Sequence, residues 1–340
     1  MTSEERKEAR YQRRKAKREA KKSPIAFEEV FSIDNLWTAM RRCFRGVGWK
    51  ASVQKVRVTQ LSTIYTLYSK LHAGTYKSKP FYEFDIKERG KTRHIQATHI
   101  TERIVQKCLC AALWQAITPS LVKTNSASQK GRGVQHSREL FARAYRAHID
   151  EYVLTYDIHS YFASIRHDVA KAMLARRLAD ERLVALCCQF IDEFAGDVGV
   201  GLGSELSQVV AILYLNEIDH QGEQIGAYGR YMDDGYLFGQ KDEVMAFASA
   251  LSARLAAIGL SLNSKTQINK ACHGATFLKR VYKDGKVLMA AKCRQNILRR
   301  CKKIQSVDDE RREASYQTYR AIVMETDEPK ARFAILGWRE

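Results

Sequence analysis

The sequence predicts an α+β protein in which helices pack on a small antiparallel sheet. Three observations support this class: stretches with helical spacing of apolar residues, short hairpin-like segments, and only four prolines in 340 residues. A hydrophobic content of 45% is enough to bury a large core, so a chain that is disordered throughout is excluded.

The helices are predicted from apolar periodicity. After Pro24, residues such as Phe27 and Leu36 indicate a first helical region. Residues 100–117 follow helical spacing. Their apolar face consists of Ile104, Cys108, Leu109 and Leu113. Further helices are predicted around 167–194, around 204–219 and over most of the basic remainder from Lys286.

Two hairpins and one further strand are predicted to form the sheet. Residues 82–95 are predicted to form a hairpin, because Phe84 and Ile86 alternate with polar residues before a turn at 88–91. Residues 152–158 are β-prone, and 227–238 form the second hairpin. Because so few strands are predicted, the sheet should be modest in size.

The charge predicts a polyanionic partner. The chain has 57 Lys+Arg against 38 Asp+Glu, which gives a formal charge of +19. Ten Lys/Arg and four Glu fall within residues 1–23, so this arm carries +6 and the rest +13. Nucleic acid is the first interpretation, with an anionic membrane surface as the weaker one. The arm itself has almost no apolar periodicity and is either a phosphate-tracking segment or a solvated tail.

Membrane and secretory functions are not indicated. The longest apolar run, 209–215, has seven residues, far below the roughly 18 that span a bilayer. The charged N-terminus lacks the apolar region of a secretory signal. Eight cysteines occur without zinc-type spacing, which favours buried, reduced thiols and a cytoplasmic protein.

Three aspartates form the sharpest functional signal. Asp233 and Asp234 are adjacent at the turn of the second hairpin. Alternation along 152–158 places Val153, Thr155 and Asp157 on one face, with Asp157 at the strand end. If this strand lies beside the hairpin, the three carboxylates need a counter-cation. Oxygen ligands of this kind suit Mg²⁺, and two ions about 4 Å apart catalyse nucleotidyl transfer.

At these residues the chain resembles reverse transcriptases. The segment 231–234 (Tyr-Met-Asp-Asp) resembles the polymerase YxDD box, and 157–162 resembles the preceding aspartate motif. Segments 87–93, 125–133, 199–216, 262–266 and 277–279 resemble further motifs of the family in the correct order. The likeness extends over roughly residues 80–290 and implies a right-hand polymerase fold with fingers, palm and a short helical thumb.

The resemblance implies domains and roles for individual residues. The expected domains are a basic arm (1–24), fingers (25–150), a palm (151–285) and a thumb (286–340). Catalysis is assigned to Asp157, Asp233, Asp234 and Lys265, and metal binding to the three aspartates and Ile158. Nucleotide binding is assigned to Lys87, Lys91, Arg93, Phe162, Gly203 and Gln208. Nucleic-acid binding is assigned to Arg132, Tyr231, Met232, Lys279, Lys292, Arg299, Arg300 and Lys303.

The resemblance also gives physical reasons for some of these roles. It places the ring of Phe162 beneath the incoming sugar, where a bulky ring would clash with a ribose 2′-hydroxyl, and so implies preference for dNTPs over rNTPs. Lys265 would assist the departing pyrophosphate. The glycines of 199–203 would let backbone approach the nascent base pair. The helix that contains Lys292 has a cationic face and an apolar stripe, as a thumb helix on a duplex requires. The stripe consists of Cys293, Ile297, Cys301 and Ile304.

The implied activity is RNA-directed DNA synthesis with two Mg²⁺ ions, or Mn²⁺ as a substitute. The partners would be an RNA template, the DNA product and dNTPs, together with a cognate non-coding RNA and an accessory protein. Gly201-Leu202 replace the family's usual Pro-Gln, and Gln208 replaces a proline. Bacterial antiviral enzymes and diversity-generating retroelement enzymes share such replacements. We expect a stand-alone bacterial defence enzyme, with the diversity-generating type as the alternative.

Three other functions stay open at this point. The chain could be a catalytically silent RNA-binding scaffold, although the intact aspartates oppose this. It could be an RNA-dependent RNA polymerase, which Phe162 and 231–232 oppose. The same metal site could also perform template-independent terminal transfer.

Overall fold

The computed structural model describes residues 22–88, 91–303 and 308–328. Helices and small antiparallel sheets alternate along this part of the chain, so the predicted α+β class is confirmed. The chain divides into two compact units. Unit one comprises the described part of Met1–Leu121, Ser160–Glu217 and Ala257–Leu260; unit two comprises Val122–His159, Ile218–Ala256 and the described part of Ser261–Glu340.

Unit one is mainly helical. Its first helices are α1 (Phe27–Val30), α2 (Ile33–Phe44), α3 (Ala51–Val58), α4 (Gln60–His72) and α5 (Ile100–Ile117). They are followed by α7 (Tyr161–Ser164), α8 (His167–Ala175), α9 (Glu181–Asp192) and α10 (Glu205–Tyr214). In α5, which has no Gly or Pro, the predicted apolar face is confirmed, because Ile104, Leu109 and Leu113 are fully buried.

A two-stranded hairpin belongs to the same unit. Strands β1 (Tyr82–Glu88) and β2 (Lys91–Ala97) pair antiparallel from Tyr82 opposite Ala97 to Glu88 opposite Lys91. The expected hairpin is confirmed, and its turn at 89–90 lies outside the described residues. The end of β2 is anchored: the Gln96 amide donates to the Leu202 carbonyl at 3.0 Å.

Unit two is built on a four-stranded antiparallel sheet. Strands β3 (Tyr152–Asp157), β4 (Ala227–Tyr231), β5 (Asp234–Gly239) and β6 (Gln267–Lys270) are arranged in the order β4-β5-β3-β6. The predicted strand at 152–158 therefore lies beside the predicted hairpin. Three helices flank these strands along the sequence. Helix α6 (Val134–Ala147) precedes β3, α11 (Asn216–Ile225) precedes β4, and α12 (Lys241–Ala257) follows β5.

An aromatic core holds α6 to the sheet. The buried Phe141 ring lies 4.8 Å from Tyr236, 5.3 Å from Phe238 and 4.8 Å from Phe277, measured between ring centroids. Such contacts combine large apolar burial with favourable ring geometry. They fix the strand that begins at Asp234.

A second sheet in unit two was not predicted. Strands β7 (Ala275–Phe277), β8 (Arg280–Lys283) and β9 (Lys286–Met289) form a three-stranded antiparallel sheet. The prediction that the chain is mostly helical from about Lys286 is confirmed for the described residues, although Lys286–Met289 first pairs with β8 as β9.

The two last helices are α13 (Ala291–Lys303) and α14 (Asp309–Met324). Ile297 is buried with Met289, Tyr316 and Val323, which agrees with an inward apolar stripe on α13. The side chain of Cys301 and all of Ile304, the other half of the expected stripe, lie outside the described residues.

Two further expectations concern the burial of the cysteines and the presence of membrane-spanning helices. Cys43, Cys108, Cys110 and Cys187 are buried free thiols, as predicted, but Cys272 is exposed. No helix among the described residues is long and apolar enough to cross a membrane.

Candidate active site

The two aspartate motifs meet at one end of the sheet in unit two. Asp157 is the last residue of β3 and Asp234 the first of β5, and the two are direct partners across the antiparallel ladder. Directly opposed residues have side chains on the same face, about 5 Å apart at Cβ. The β-prone sequence of 152–157 and its buried Val153 and Leu154 fix this register.

The hairpin turn places Asp233 at the same end. Tyr231 pairs with Asp234, so Met232 and Asp233 form the two-residue turn. Met232 has a φ of 56°, the left-handed region that two-residue hairpins require. The Ile158 amide donates to the Asp233 carbonyl at 3.2 Å, and the Asn263 amide donates to the Asp157 carbonyl at 2.7 Å. Main-chain hydrogen bonds therefore fix the backbone of both motifs.

The carboxylates are electrostatically coupled. Burial, followed by the charges of Asp233 and Asp157, raises the pKa of Asp234 to about 7. Lys279 and Lys265 oppose this shift, so both ammonium groups act on the carboxylate. A cation bound here would relieve the repulsion between the carboxylates.

The donor set fits a divalent ion that is shared with a substrate. Among the described residues, no group of three or more His, Cys, Asp or Glu side chains is arranged to hold a metal by itself. Mg²⁺ is typically bound by one or two carboxylates, with substrate phosphates and waters in its remaining positions. The opposed Asp157 and Asp234 supply such a pair.

Sequence reasoning missed a buried ion pair next to the turn. Arg230 and Asp219 are both fully buried and bound to each other, with 2.6 Å between Arg230 Nε and Asp219 Oδ1. No role was predicted for Arg230, because strand periodicity does not reveal that an arginine is buried. Its position two residues before the turn was the available signal.

The expected basic residues of unit one lie on the β1–β2 hairpin. Arg93 is opposite Ile86 and Lys87 is opposite Thr92, so Lys87 and Arg93 project from opposite faces of the hairpin. Both are exposed. The side chain of Lys91 lies outside the described residues.

Phe162 and the glycine-bearing loop lie in unit one. Phe162 is half-buried in α7, and its carbonyl accepts a hydrogen bond from the Val200 amide at 2.8 Å. Gly203 has a φ of 118°, and an added Cβ would come within 2.8 Å of the Gln96 carbonyl oxygen. This glycine is thus required for close contact with β2, a reason that sequence analysis did not include. Gln208 is exposed on α10.

The residues expected to bind nucleic acid occur in several settings of unit two. Arg132 Nη1 donates to the carbonyls of Lys123 and Asn125, each at 3.0 Å, and so braces its own loop. Lys279 is exposed in the β7–β8 turn. Three of the expected cations, Lys292, Arg299 and Arg300, are exposed on α13, and Tyr231 and Met232 are half-buried at the aspartate turn. The side chain of Lys303 is outside the described residues.

The sequence of this chain matches a known protein family. The model of the family "Reverse transcriptase (RNA-dependent DNA polymerase)" matches residues 77–279, which is more than half of the chain and includes all three aspartates. This match defines the class of protein: the chain is a member of a family of RNA-dependent DNA polymerases. The chain belongs to the reverse transcriptase family. Enzymes of this family generally use divalent metal ions, in agreement with the donor set described above.

Two solved structures are similar in part. A telomerase from Candida albicans in complex with a TWJ fragment of telomeric RNA has a TM-score of 0.45 and 11% identity, over 63% of this chain and 46% of the telomerase. An apo telomerase from Candida tropicalis, truncated from its C-terminal domain, has a TM-score of 0.44 and 15% identity, over 59% and 52%. This chain thus spans about half the length of these telomerases. No curated protein matches its sequence.

Proposed function

We propose that this chain synthesises DNA on an RNA template from dNTPs, with two Mg²⁺ ions in the site formed by Asp157, Asp233 and Asp234. The observation that supports it most is the pairing of Asp157 with Asp234 beside the Met232–Asp233 turn in a chain of the reverse transcriptase family. In this proposal residues 25–150 act as fingers, 151–285 as palm and 286–340 as thumb.

The aspartates bind and orient the reacting groups. Asp157 and Asp234 would hold the ions with their carboxylates, Asp233 would add charge from the turn, and Ile158 would contribute main chain next to Asp157. Bound there, divalent ions would lower the pKa of the primer 3′-hydroxyl and neutralise the pyrophosphate that leaves. Ionised carboxylates are needed for this, and the positive charges of Lys265 and Lys279 favour the ionised form of Asp234.

Cationic side chains complete the proposed chemistry. The Lys265 ammonium stabilises the departing pyrophosphate and can give it a proton from Nζ. Lys87, Lys91 and Arg93 attract the triphosphate, with Arg93 suited to paired hydrogen bonds. Gly203 and Gln208 belong to the loop and helix proposed to contact the nucleotide. Lys279 and the cations of α13 bind the template–primer backbone.

The direct test is Mg²⁺-dependent primer extension on an RNA template, with dNTPs or rNTPs. Asp233→Ala and Asp234→Ala serve as inactive variants, and Asp242→Asn removes an exposed carboxylate of the same unit as a matched control. We expect DNA synthesis by the wild type and by Asp242→Asn, and none by the other two. If synthesis is absent even after copurification with the native RNA and partners, the scaffold function replaces this proposal.

Sugar selection is proposed for Phe162. Replacement with Ala should relax the preference for dNTPs over rNTPs by roughly tenfold to a hundredfold, because the ring that excludes the 2′-hydroxyl is lost. Tyr65→Ala, which removes an exposed ring of α4, is the control. Equal discrimination in wild type and Phe162→Ala would refute this role.

For the biological setting we propose bacterial antiviral defence, with a cognate non-coding RNA, an accessory protein and a cytoplasmic location. The support is the set of replacements Gly201, Leu202 and Gln208. Sequencing of RNA and DNA that copurify with the chain tests it. A self-encoded non-coding template with loss of phage protection in Asp233→Ala supports defence, whereas adenine-mutagenised cDNA of a target gene supports the diversity-generating alternative.

A further inference from the structure

The buried pair of Arg230 and Asp219 in unit two has no role in the proposed chemistry. Both side chains are 0% exposed. Removal of two charges from water is costly, and such pairs are often replaceable by apolar residues without loss of stability. A fully buried pair next to a catalytic turn therefore calls for an explanation other than stability.

The pair is bidentate and completely oriented. Arg230 Nε donates to Asp219 Oδ1 at 2.6 Å, and Arg230 Nη2 donates to Oδ2 at 2.7 Å. The Tyr228 hydroxyl also donates to Oδ1 at 2.8 Å, and Asn125 Nδ2 donates to Oδ2 at 3.2 Å. Asp219 is held by three side chains, so the plane of the guanidinium has little freedom.

The remaining terminal nitrogen of Arg230 reaches the catalytic turn. Arg230 Nη1 donates to the Met232 carbonyl at 2.7 Å. That carbonyl belongs to the rigid peptide plane that also contains the amide nitrogen of Asp233. Met232 itself has the left-handed φ of 56°, which residues other than glycine seldom adopt without support. One hydrogen bond thus sets the orientation of the peptide that leads into the aspartate pair.

We propose that Arg230 is a positioning residue for the catalytic turn. Its guanidinium, oriented by Asp219, holds the Met232 carbonyl and so fixes Asp233 and Asp234 opposite Asp157. The effect on catalysis rests on the proposed polymerase function, but the effect on the turn does not.

Only an arginine can make all of these contacts. The guanidinium presents separate nitrogens in a rigid fork, two for Asp219 and one for Met232. A lysine at position 230 could neutralise Asp219, but its single nitrogen cannot also hold the Met232 carbonyl at the same geometry. The conservative variant therefore separates charge compensation from positioning.

The first experiment compares Arg230→Lys with Tyr228→Phe. Tyr228→Phe removes a hydrogen bond from the same Asp219 carboxylate, and one with the Tyr156 hydroxyl at 2.6 Å, without touching the contact with Met232. It therefore controls for loss of stability in the network. At a temperature where both variants are folded, we expect kcat for dNTP incorporation to fall about tenfold to a hundredfold in Arg230→Lys, with little change in the KM for dNTP. Tyr228→Phe should stay within about twofold of wild type.

The second readout does not need activity. Amide hydrogen exchange in the apoprotein should be about tenfold faster in Arg230→Lys for a peptide that covers residues 231–235, with exchange in β3 unchanged. Tyr228→Phe should leave this peptide as in wild type. Equal exchange in all three proteins would overturn the proposal. If the wild type makes no DNA, the polymerase function fails while this measurement still tests the role of Arg230.

A double apolar variant covers the case in which single variants do not fold. Asp219→Leu with Arg230→Met removes both charges and replaces the two side chains with apolar ones, a change that buried pairs often tolerate. We expect a folded protein with the same loss of kcat and the same fast exchange in the turn. Wild-type kcat in the folded double variant would show that the pair serves stability alone.

Discussion

Half-buried or buried carboxylates lie near one another in two regions of this protein, and their surroundings differ. In unit two, Asp234 has a pKa raised to about 7 by burial and by Asp233 and Asp157, while Lys265 and Lys279 pull it down. In unit one, Glu193 has a pKa raised to about 8 by burial, and the neighbouring charge that acts on it is another carboxylate, Glu102.

The hydrogen bonds around the carboxylates of the two regions also differ. Both Glu193 oxygens are buried without a hydrogen-bond partner among the described residues, and so is the nearby Tyr76 hydroxyl. The backbones around Asp157 and Asp233, by contrast, are fixed by main-chain hydrogen bonds. Glu193 can be neutralised by uptake of a proton. The aspartates, in contrast, have a fixed backbone, and the charges of Lys265 and Lys279 act on Asp234. A raised pKa therefore indicates burial in both places, and only the organised cluster has the features of a reaction site.

The largest expected effect comes from Asp234→Asn. DNA synthesis should fall at least about a thousandfold, because the variant loses a proposed metal ligand and keeps only the shape of the side chain. The same variant should melt at a higher temperature than wild type, because a partly buried charge between two like charges is removed. Primer extension and thermal melting on one preparation check both results. An active Asp234→Asn variant would remove the distinction between the two carboxylate regions.

A smaller effect is expected from Lys265→Met. Loss of the ammonium should lower kcat by about a hundredfold if Lys265 acts as general acid. It should also raise the pKa of Asp234 further, because a charge that lowers this pKa is lost. Lys270→Met, at an exposed position in β6, is the matched control. Equal rates for the two lysine variants at saturating dNTP would argue against a special role for Lys265.

The aspartate cluster could be predicted from the sequence because the patterns that locate it are local. Periodicity located β3, the β4–β5 hairpin and α5, and the aspartates at the strand ends followed from those elements. The strands β6 to β9 have only three or four residues each, too short to show alternation, and their pairing is set by tertiary contacts. For this reason no strand was predicted at β9, in the mostly helical remainder from about Lys286.

The buried polar groups needed three-dimensional information. Asp219 lies in α11 and Arg230 in β4, so the two residues meet only when this helix and this strand pack together in unit two. Glu193 caps the C-terminus of α9, and its polar side chain would ordinarily mark a solvated helix end. Gly203 was recognised as significant, but its close neighbour, the Gln96 carbonyl, is remote in sequence. A charged side chain is ordinarily exposed, so a prediction from periodicity assigns it to the surface and misses its burial.

The smallest expected effect on activity comes from Glu193→Gln, which tests the comparison from the other side. In the folded chain the pKa of Glu193 is about 8 against an ordinary value of 4.5, so the folded state binds this proton more tightly than the unfolded state. The associated stability is fully present below about pH 4.5 and is lost as the pH rises through about 8. Wild type should therefore become less stable over this range, and Glu193→Gln should reduce that dependence and be the more stable protein at pH 8. Urea unfolding at pH 5, 6.5 and 8 measures this, with Asp197→Asn, an exposed carboxylate of the same unit, as control.

DNA synthesis by Glu193→Gln should stay within about twofold of wild type, because Glu193 has no role in the proposed chemistry. A large loss of synthesis in a stabilised Glu193→Gln protein would mean that the second carboxylate region also serves the reaction.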